Sequence, residues 1–256
     1  MNAMVFTPRK GVRRAGLTLI ELTVVLLILV ALAGILVPLL TGYLEQAHGA
    51  SGATNIGELV KQIELHRIRN YEYPNAMDSL LAQGGLAVYD RLDDELSGII
   101  LAPAALNADQ VDQLARVGIT TVYRHINSGT GTATDGVDLA GPVTIDATAA
   151  GTVARLDPVG LQDPKRFGPQ IPTNGIYVAF GIGQGNTMVG RSMADAPVHF
   201  DDDRDGNSID TYARFIAVFF IPANTAKPAR LAGVLSPHGD GLLSHVNEYN
   251  ANITSD

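Results

Sequence analysis

The chain contains neither cysteine nor tryptophan among its 256 residues. The absence of cysteine excludes a disulfide framework, on which many exported domains rely for stability. The stability of any folded part must therefore come from a packed core, a bound ion or neighbouring subunits.

Basic residues are scarce, and their distribution is uneven. Lysine and arginine number 18 against 26 aspartates and glutamates, which gives a net charge of −8. Four of the basic residues lie within residues 9–14, and the next one along the chain is Lys61. Proteins that bind nucleic acid need basic patches, so we expect no nucleic-acid partner.

Charge of either sign is missing from residues 22–40, where nearly every side chain is apolar. The length of this run approaches the roughly 20 residues that cross a hydrocarbon core of about 30 Å. A basic flank before the run and the lack of basic residues after it are typical of a cytoplasmic N-terminus. The pattern predicts one membrane-spanning helix, with the rest of the chain exported.

Glu21 interrupts the apolar pattern at the start of this run. A carboxylate near lipid costs at least a few kcal/mol, so such a residue usually has a partner or a task. The alternative is that its side chain reaches the membrane interface.

Residues 16–21 read Gly-Leu-Thr-Leu-Ile-Glu, between the basic leader and the long apolar run. This arrangement resembles the class III signal of type IV pilins and type II secretion pseudopilins. The resemblance implies that a prepilin peptidase cuts after Gly16 and methylates Leu17. It also implies that Glu21 pairs with such an N-terminus, its own or a neighbour's, during assembly. The family usually has phenylalanine at the place of Leu17, and Pro38 falls where these helices commonly carry a proline.

A secretory signal peptide and a plain membrane anchor are the competing interpretations of this segment. A signal peptide has an apolar region of about 7–15 residues, followed by a small-x-small cleavage site. The Ala-Leu-Ala triplet at residues 31–33 instead lies inside the run. A plain anchor does not explain Glu21.

The predicted organisation is a cleaved leader over residues 1–16, a long helix over 17–70 that spans the membrane at 17–40, and a globular head over 71–256. The expected fold class is α+β, with the long helix packed on a C-terminal antiparallel β-sheet head. Loss of the leader, which carries four basic residues and no acidic ones, would change the net charge to −12. Spacings of three and four in the second half of the helix predict a buried stripe. Its members are Leu44, Ala47, Ile56, Leu59, Val60, Ile63 and the stem of Arg67.

Local signals divide the head into short elements. Asn107 is the predicted N-cap of a helix over residues 108–117, and β-branched residues predict a strand over 119–126. The very apolar segment 211–221 predicts a central strand that is covered on both faces. The remaining predictions are short helices over 78–81 and 242–249, strands over 143–147 and 152–156, a hairpin of 175–182 with 187–189, and a linker from 223 to 237.

Residues 181–185 form a Gly-x-Gly-x-Gly motif. A dinucleotide-binding fingerprint requires a helix directly after the motif, and residues 186–190 do not have a helical pattern. The motif is therefore interpreted as a turn.

Residues 201–210 contain the D-x-D-x-D-G pattern of calcium-binding loops, in which alternate carboxylates converge on one ion. The candidate ligands are Asp201, Asp203, Asp205, the carbonyl of Asn207, and Asp210. Tyr212 takes the place of the bidentate glutamate and no helix precedes the loop, so this is not an EF-hand. The alternative is a solvated acidic turn. Major pseudopilins commonly hold calcium in a C-terminal loop, and the resemblance therefore favours calcium.

The sequence offers no convincing catalytic cluster, so we expect no enzymatic activity. Ser236, His238 and Asp240 share one short segment, which is more typical of a turn than of a catalytic triad. The leading hypothesis is a structural subunit of a type IV pilus-like or type II secretion pseudopilus filament. Such a subunit would self-associate with other pilins or pseudopilins, anchored in the bacterial inner membrane with its head in the periplasm or at the cell surface. The alternatives are a minor tip or priming pseudopilin and a membrane-tethered enzyme or binding domain.

Overall fold

Helix α1 runs from Leu19 to Asn70 and is the first element of the computed structural model. The structure describes residues 19–82, 85, 87–125, 139–147, 153–199 and 212–253. The chain forms two units, Met1–Leu44 and Glu45–Asp256, so α1 begins in the first and ends in the second. The elements of the second unit are β1 Met77–Ala82, α2 Asp94–Ser97, α3 Ala108–Ala115, β2 Thr121–His125, β3 Leu139–Thr144, β4 Ala154–Leu156, α4 Pro158–Leu161, β5 Gly175–Gly181, β6 Ile216–Pro222, β7 Arg230–Leu235 and α5 Leu242–Ile253.

In the first unit, the segment Leu19–Val37 of α1 is long and apolar enough to span a membrane. Its mean hydropathy is 2.9, and none of it is buried within the protein. Aliphatic side chains stand exposed on all sides of the helix, as at Leu27 and Val30. A surface of this extent requires lipid or other protein around it.

In the second unit, one face of α1 packs on the sheet. Every third or fourth residue of this face is buried, as a 3.6-residue period requires. The buried residues are Gly49, Gly52, Ile56, Leu59, Ile63 and His66. The stripe predicted from sequence is confirmed at Ile56, Leu59 and Ile63, and Val60 packs against the same core. It is wrong at Ala47 and at the stem of Arg67, since both residues are exposed and two glycines and a histidine occupy the buried positions at the ends of the stripe. The side chain of Leu44, also predicted in the stripe, lies outside the described part of the structure.

Gly52 permits a close approach between α1 and α5. A Cβ atom at this position would lie 2.9 Å from Nδ1 of His245, a buried side chain of α5. Gly57, one turn further along α1, has open space around it. The first glycine is therefore explained by packing, although both weaken the helix by about 1 kcal/mol relative to alanine.

The seven strands among the described residues form one mixed sheet in the order β3-β2-β1-β5-β6-β7, and β4 also pairs with β5. Strands β1 and β2 are parallel, and all other pairs are antiparallel. The α+β class is confirmed, with one parallel pair inside a sheet that was predicted as antiparallel.

The central strands are covered on both faces, as predicted for the segment that forms β6. On β5, Val178 and Phe180 belong to the core cluster that contains the α1 stripe. Tyr177 and Ala179 belong to a second cluster on the opposite face, which includes residues of α2 and α4. Because successive side chains of a strand alternate between faces, β5 and β6 are apolar throughout.

Three predictions in the head are wrong. Residues 78–81 belong to β1 and not to a helix, because β2 and β5 supply hydrogen-bonding partners on both sides. Residues 187–189 do not pair with β5, whose edges are taken by β1, β4 and β6. The predicted linker 223–237 contains β7, which pairs with β6.

The predicted helix at 108–117 is confirmed as α3. Asn107 forms a capping box in which its Oδ1 accepts from the Gln110 amide at 2.8 Å. Further along α3, the buried Gln113 Nε2 lies within hydrogen-bonding distance of the last carbonyl of β6 and of two carbonyls in the β6–β7 connection. Helix α3 thus holds this connection in place.

Candidate functional site

The first candidate site is the start of α1. Gly16 and Leu17 lie outside the described residues. Glu21 is in the first turn of the helix, where the partial positive charge of the helix terminus favours a carboxylate. It is exposed and surrounded by the exposed side chains of Leu19, Ile20 and Leu22. Residues 19–44 contain no other charge. A carboxylate at the head of an apolar helix can bind a cation such as an N-terminal amine.

The second candidate site, the acidic segment 201–210, lies outside the described residues with all five predicted ligands. The residues that flank it are held close together. The His199 amide donates to the Ala213 carbonyl at 2.9 Å, and Val198 forms a β-bridge with Arg214. The Tyr212 amide donates to the Arg91 carbonyl at 2.8 Å. The chain therefore enters and leaves the acidic segment at neighbouring points.

Tyr212 and Arg214, which follow this segment in the chain, form a buried polar cluster with Asp78 of β1. The Tyr212 hydroxyl donates to Asp78 Oδ2 at 3.0 Å, and all three side chains are buried. Asp78 Oδ1 has no hydrogen-bond partner among the residues that the structure describes. Burial raises the pKa of Asp78 to about 7, although the Tyr212 hydrogen bond and the charge of Arg214 act in the opposite direction. Burial also raises the pKa of Tyr212 well above its usual value.

The Gly-x-Gly-x-Gly motif packs against this cluster. A Cβ on Gly181 would overlap the Tyr212 phenol, and one on Gly183 would overlap the Asp78 carboxylate. A Cβ on Gly185 would overlap the ring of Tyr123. The residues after β5 form hydrogen-bonded turns, as in the bond from the Asn186 amide to the Gly183 carbonyl. The turn interpretation is confirmed, and each glycine makes room for a side chain of the head.

Asp78→Asn is expected to change how stability depends on pH. The native carboxyl keeps its proton up to about pH 7, whereas an unfolded aspartate loses it near 3.8. The native state therefore binds more protons in this window, and the contribution of Asp78 to stability falls as the pH rises. Relative to wild type, the variant should gain up to about 4 kcal/mol of unfolding free energy between about pH 4 and pH 8. Urea titrations of the full chain in detergent, followed by near-ultraviolet tyrosine circular dichroism, measure this gain.

The exposed Asp195 provides the matched control for this prediction. Asp195→Asn removes a carboxyl at the surface and keeps the buried one, so the fall in stability assigned to Asp78 should persist in it. Parallel profiles for wild type and Asp78→Asn would contradict the assignment of a protonated carboxyl.

Ser236, His238 and Asp240 form a turn, as expected. The Asp240 amide donates to Ser236 Oγ at 3.1 Å, and the Ser236 amide donates to the Asp240 carbonyl at 2.8 Å. His238 instead contacts Asp93, with 3.0 Å between Nδ1 and Oδ2. Among the described residues, no group of three His, Asp or Glu side chains is arranged to hold a metal ion.

Sequence reasoning did not identify Asp78 or Asp93. Asp78 lies in a segment that gives no local sign of a buried strand, and Asp93 is brought to His238 by tertiary structure alone. Asp93 precedes α2, and its accepted bond from the Glu95 amide is a recognisable capping signal.

The described residues thus combine a membrane-length apolar segment near the N-terminus with an α+β head on which the second half of α1 packs. No protein-family profile matches the chain, and no solved structure matches it. The chain is similar to Type II secretion system core protein G of Pectobacterium carotovorum subsp. carotovorum, with 34% identity over 74 residues. It is also similar to the protein of that name from Dickeya chrysanthemi, with 35% identity over 68 residues.

These similarities cover 29% and 27% of this chain. They span 47% and 44% of the two relatives, so the chain matches less than half of either. Together with the fold, they support the assignment of this chain to the pseudopilin family.

Proposed function

We propose that the chain is a structural subunit of a type II secretion pseudopilus, assembled with other pseudopilins through its N-terminal helix. The supporting observation is the helix Leu19–Val37, which is wholly exposed and begins with a single carboxylate. Before assembly this surface lies in the bacterial inner membrane, and the head is exported. In the filament, other copies replace the lipid around it.

Processing precedes assembly in this proposal. The prepilin peptidase cuts after Gly16 and methylates Leu17, which brings a positively charged amine within four residues of Glu21. Mass spectrometry of the mature chain is expected to show an N-terminus at methylated Leu17. A chain that begins at Met1, or beyond residue 33, would contradict the proposal. The Gly16→Val variant, which a peptidase specific for glycine cannot cut, provides the uncleaved control.

A minor tip or priming pseudopilin is the second candidate function. This chain is longer than the Pectobacterium relative by more than half. The same 74 matched residues make up 47% of that relative but only 29% of this chain. The additional length gives the head surface that a recognition subunit would use. The number of copies in the purified polymer separates the two candidates, because a minor subunit is rare relative to the main subunit.

We further propose that residues 201–210 bind calcium through Asp201, Asp203, Asp205, Asn207 and Asp210. The supporting facts are the D-x-D-x-D-G pattern and the hydrogen bond between His199 and Ala213, on either side of the segment. An affinity on the order of 0.1–1 mM is expected, as in extracellular calcium modules.

Excess calcium is expected to raise the melting temperature of the protein, because an ion that binds only the native state stabilises it by mass action. Magnesium should have a smaller effect, because it requires a tighter octahedral shell. The measurement is a thermal melt in EDTA and in millimolar calcium. The double variant Asp203→Ala, Asp205→Ala should lose the calcium response and keep its fold. Identical melts of the wild type in both buffers would show a solvated acidic turn.

A further inference from the structure

Helix α5 has its apolar side chains on the outside. Ser244 and His245 are buried, whereas four large apolar side chains nearby are exposed. These four define the α5 stripe: Leu242 (47% exposed), Leu243 (56%), Val246 (37%) and Tyr249 (40%). Spacings of three and four place them on one side of the helix.

The packing of His245 fixes this orientation. Its ring lies against Gly52 of α1, at a point where even a methyl group would be too close. The same ring lies 5.4 Å from the ring of His199, measured between centroids. A rotation of α5 that buried the leucines would remove His245 from this place. The stripe is therefore a stable part of the surface.

The charge of the protein limits what can cover the stripe. Helices that lie on membrane surfaces carry lysine or arginine on their polar face, and α5 has neither. The mature chain, with a net charge of −12, would also be repelled by anionic lipid headgroups. Two copies of this chain also repel each other, because both carry a net negative charge. Close contacts between copies therefore require uncharged surfaces.

The chain has a second exposed, apolar and uncharged surface in Leu22–Val37 of α1, which follows Glu21. We propose that the α5 stripe of one subunit packs against this membrane-type segment of α1 in a neighbouring copy. The contact would cover two apolar surfaces that the single chain leaves open. This inference rests on the proposed function. It identifies α5 as the part of the head that contacts helix α1 of the neighbouring subunit.

A photo-crosslinking amino acid at Leu243 tests the contact in the full chain, within cells that assemble the filament. The absence of cysteine in the natural chain allows the product to be mapped without disulfide artefacts. The expected product has twice the subunit mass, and its second peptide comes from residues 19–37. The matched control is the same crosslinker at Val159, an apolar residue of α4 that is 73% exposed. The yield of the doubled product should be at least tenfold higher at Leu243.

A second variant measures the effect on assembly. Leu243→Gln with Val246→Gln changes exposed side chains only, so near-ultraviolet circular dichroism should show an unchanged head. Filament yield should fall at least tenfold, whereas Val159→Gln should keep the wild-type yield.

Several outcomes would overturn the inference. One is a filament that forms normally while Leu243 and Val159 give equal yields of the doubled product. Others are a crosslink from Leu243 to lipid or to an unrelated protein, and wild-type filament yield from the double variant. Filament formation by the unmodified chain tests the proposed function separately from the proposed contact between α5 and α1. If that chain forms no filament, the proposed function fails and this contact fails with it.

Discussion

Replacing Glu21 by alanine is expected to leave the chain inserted in the membrane and to abolish its polymerisation. The carboxylate is the one charge in residues 19–44, so its removal makes this segment more apolar and favours insertion. In the proposed filament, the same change would leave an N-terminal amine without its proposed partner in an apolar environment. Breaking a buried ion pair on one side typically costs about 3–5 kcal/mol. A loss of about 3 kcal/mol lowers the association constant of each contact by roughly 100-fold. The same loss occurs at every subunit of the filament.

The measurement compares membrane fractionation with the yield of sheared filaments. Glu21→Gln keeps the size of the side chain and removes the charge, so it should fail in the same way. Thr23→Ala is the matched control, because the Thr23 hydroxyl donates to the Ile20 carbonyl of its own helix, at 2.9 Å. Filaments at wild-type yield from Glu21→Ala would show that the carboxylate does not act in assembly.

Replacing Gly181 by alanine is expected to destroy the packing of the head. Gly181 ends β5 and pairs with both Asp78 and Ile216. An added methyl would lie 2.6 Å from Cζ of the Tyr212 ring, which is itself fully buried. Neither the sheet backbone nor the buried ring can move away without breaking other contacts. We expect a loss of about 4 kcal/mol or more, which belongs to the extreme of measured single substitutions.

Urea titration of the full chain in detergent, with the near-ultraviolet signal of tyrosine, measures this loss. Gly141→Ala provides the matched control, because Gly141 lies in strand β3 with open space around it. Adding Tyr212→Phe to Gly181→Ala removes the hydroxyl that the methyl would overlap, so it should restore part of the stability. A Gly181→Ala variant as stable as Gly141→Ala would show that the packing around Tyr212 adjusts freely.

The elements with strong local signals were predictable from the sequence. Helix α3 has an N-cap and a regular apolar spacing, and β6 is a dense apolar run. Strand β1 was not predictable, because Met77–Ala82 becomes a strand only through backbone partners on β2 and β5. Strand β7 was missed for a similar reason, since its partner β6 and the hold of α3 on the connection are tertiary features.

The candidate sites also differ in whether their signal is local in the sequence or depends on tertiary contacts. Glu21 stays a prediction, made because the basic leader, the glycine and the apolar run are close to it in the sequence. The buried Asp78 was not recognisable, because its burial depends on Tyr212 and Arg214, more than a hundred residues away. The glycines at 181–185 were correctly interpreted as a turn, but the side chains that they accommodate come from elsewhere in the chain.

The position of β5 in the sheet determines when the head can fold. Asp78 of β1 pairs with Gly181 of β5, and Gly181 pairs with Ile216 of β6. Contacts of such large sequence separation make folding slow, because distant segments must meet before any of them is stabilised. In the proposed topology, the chain through β6 must cross the membrane before this centre can close. The apolar stripe of α1 stays uncovered until then, which exposes the nascent subunit to aggregation. If the chain is exported and assembled as proposed, a subunit becomes competent for assembly only after nearly the whole chain has been translocated.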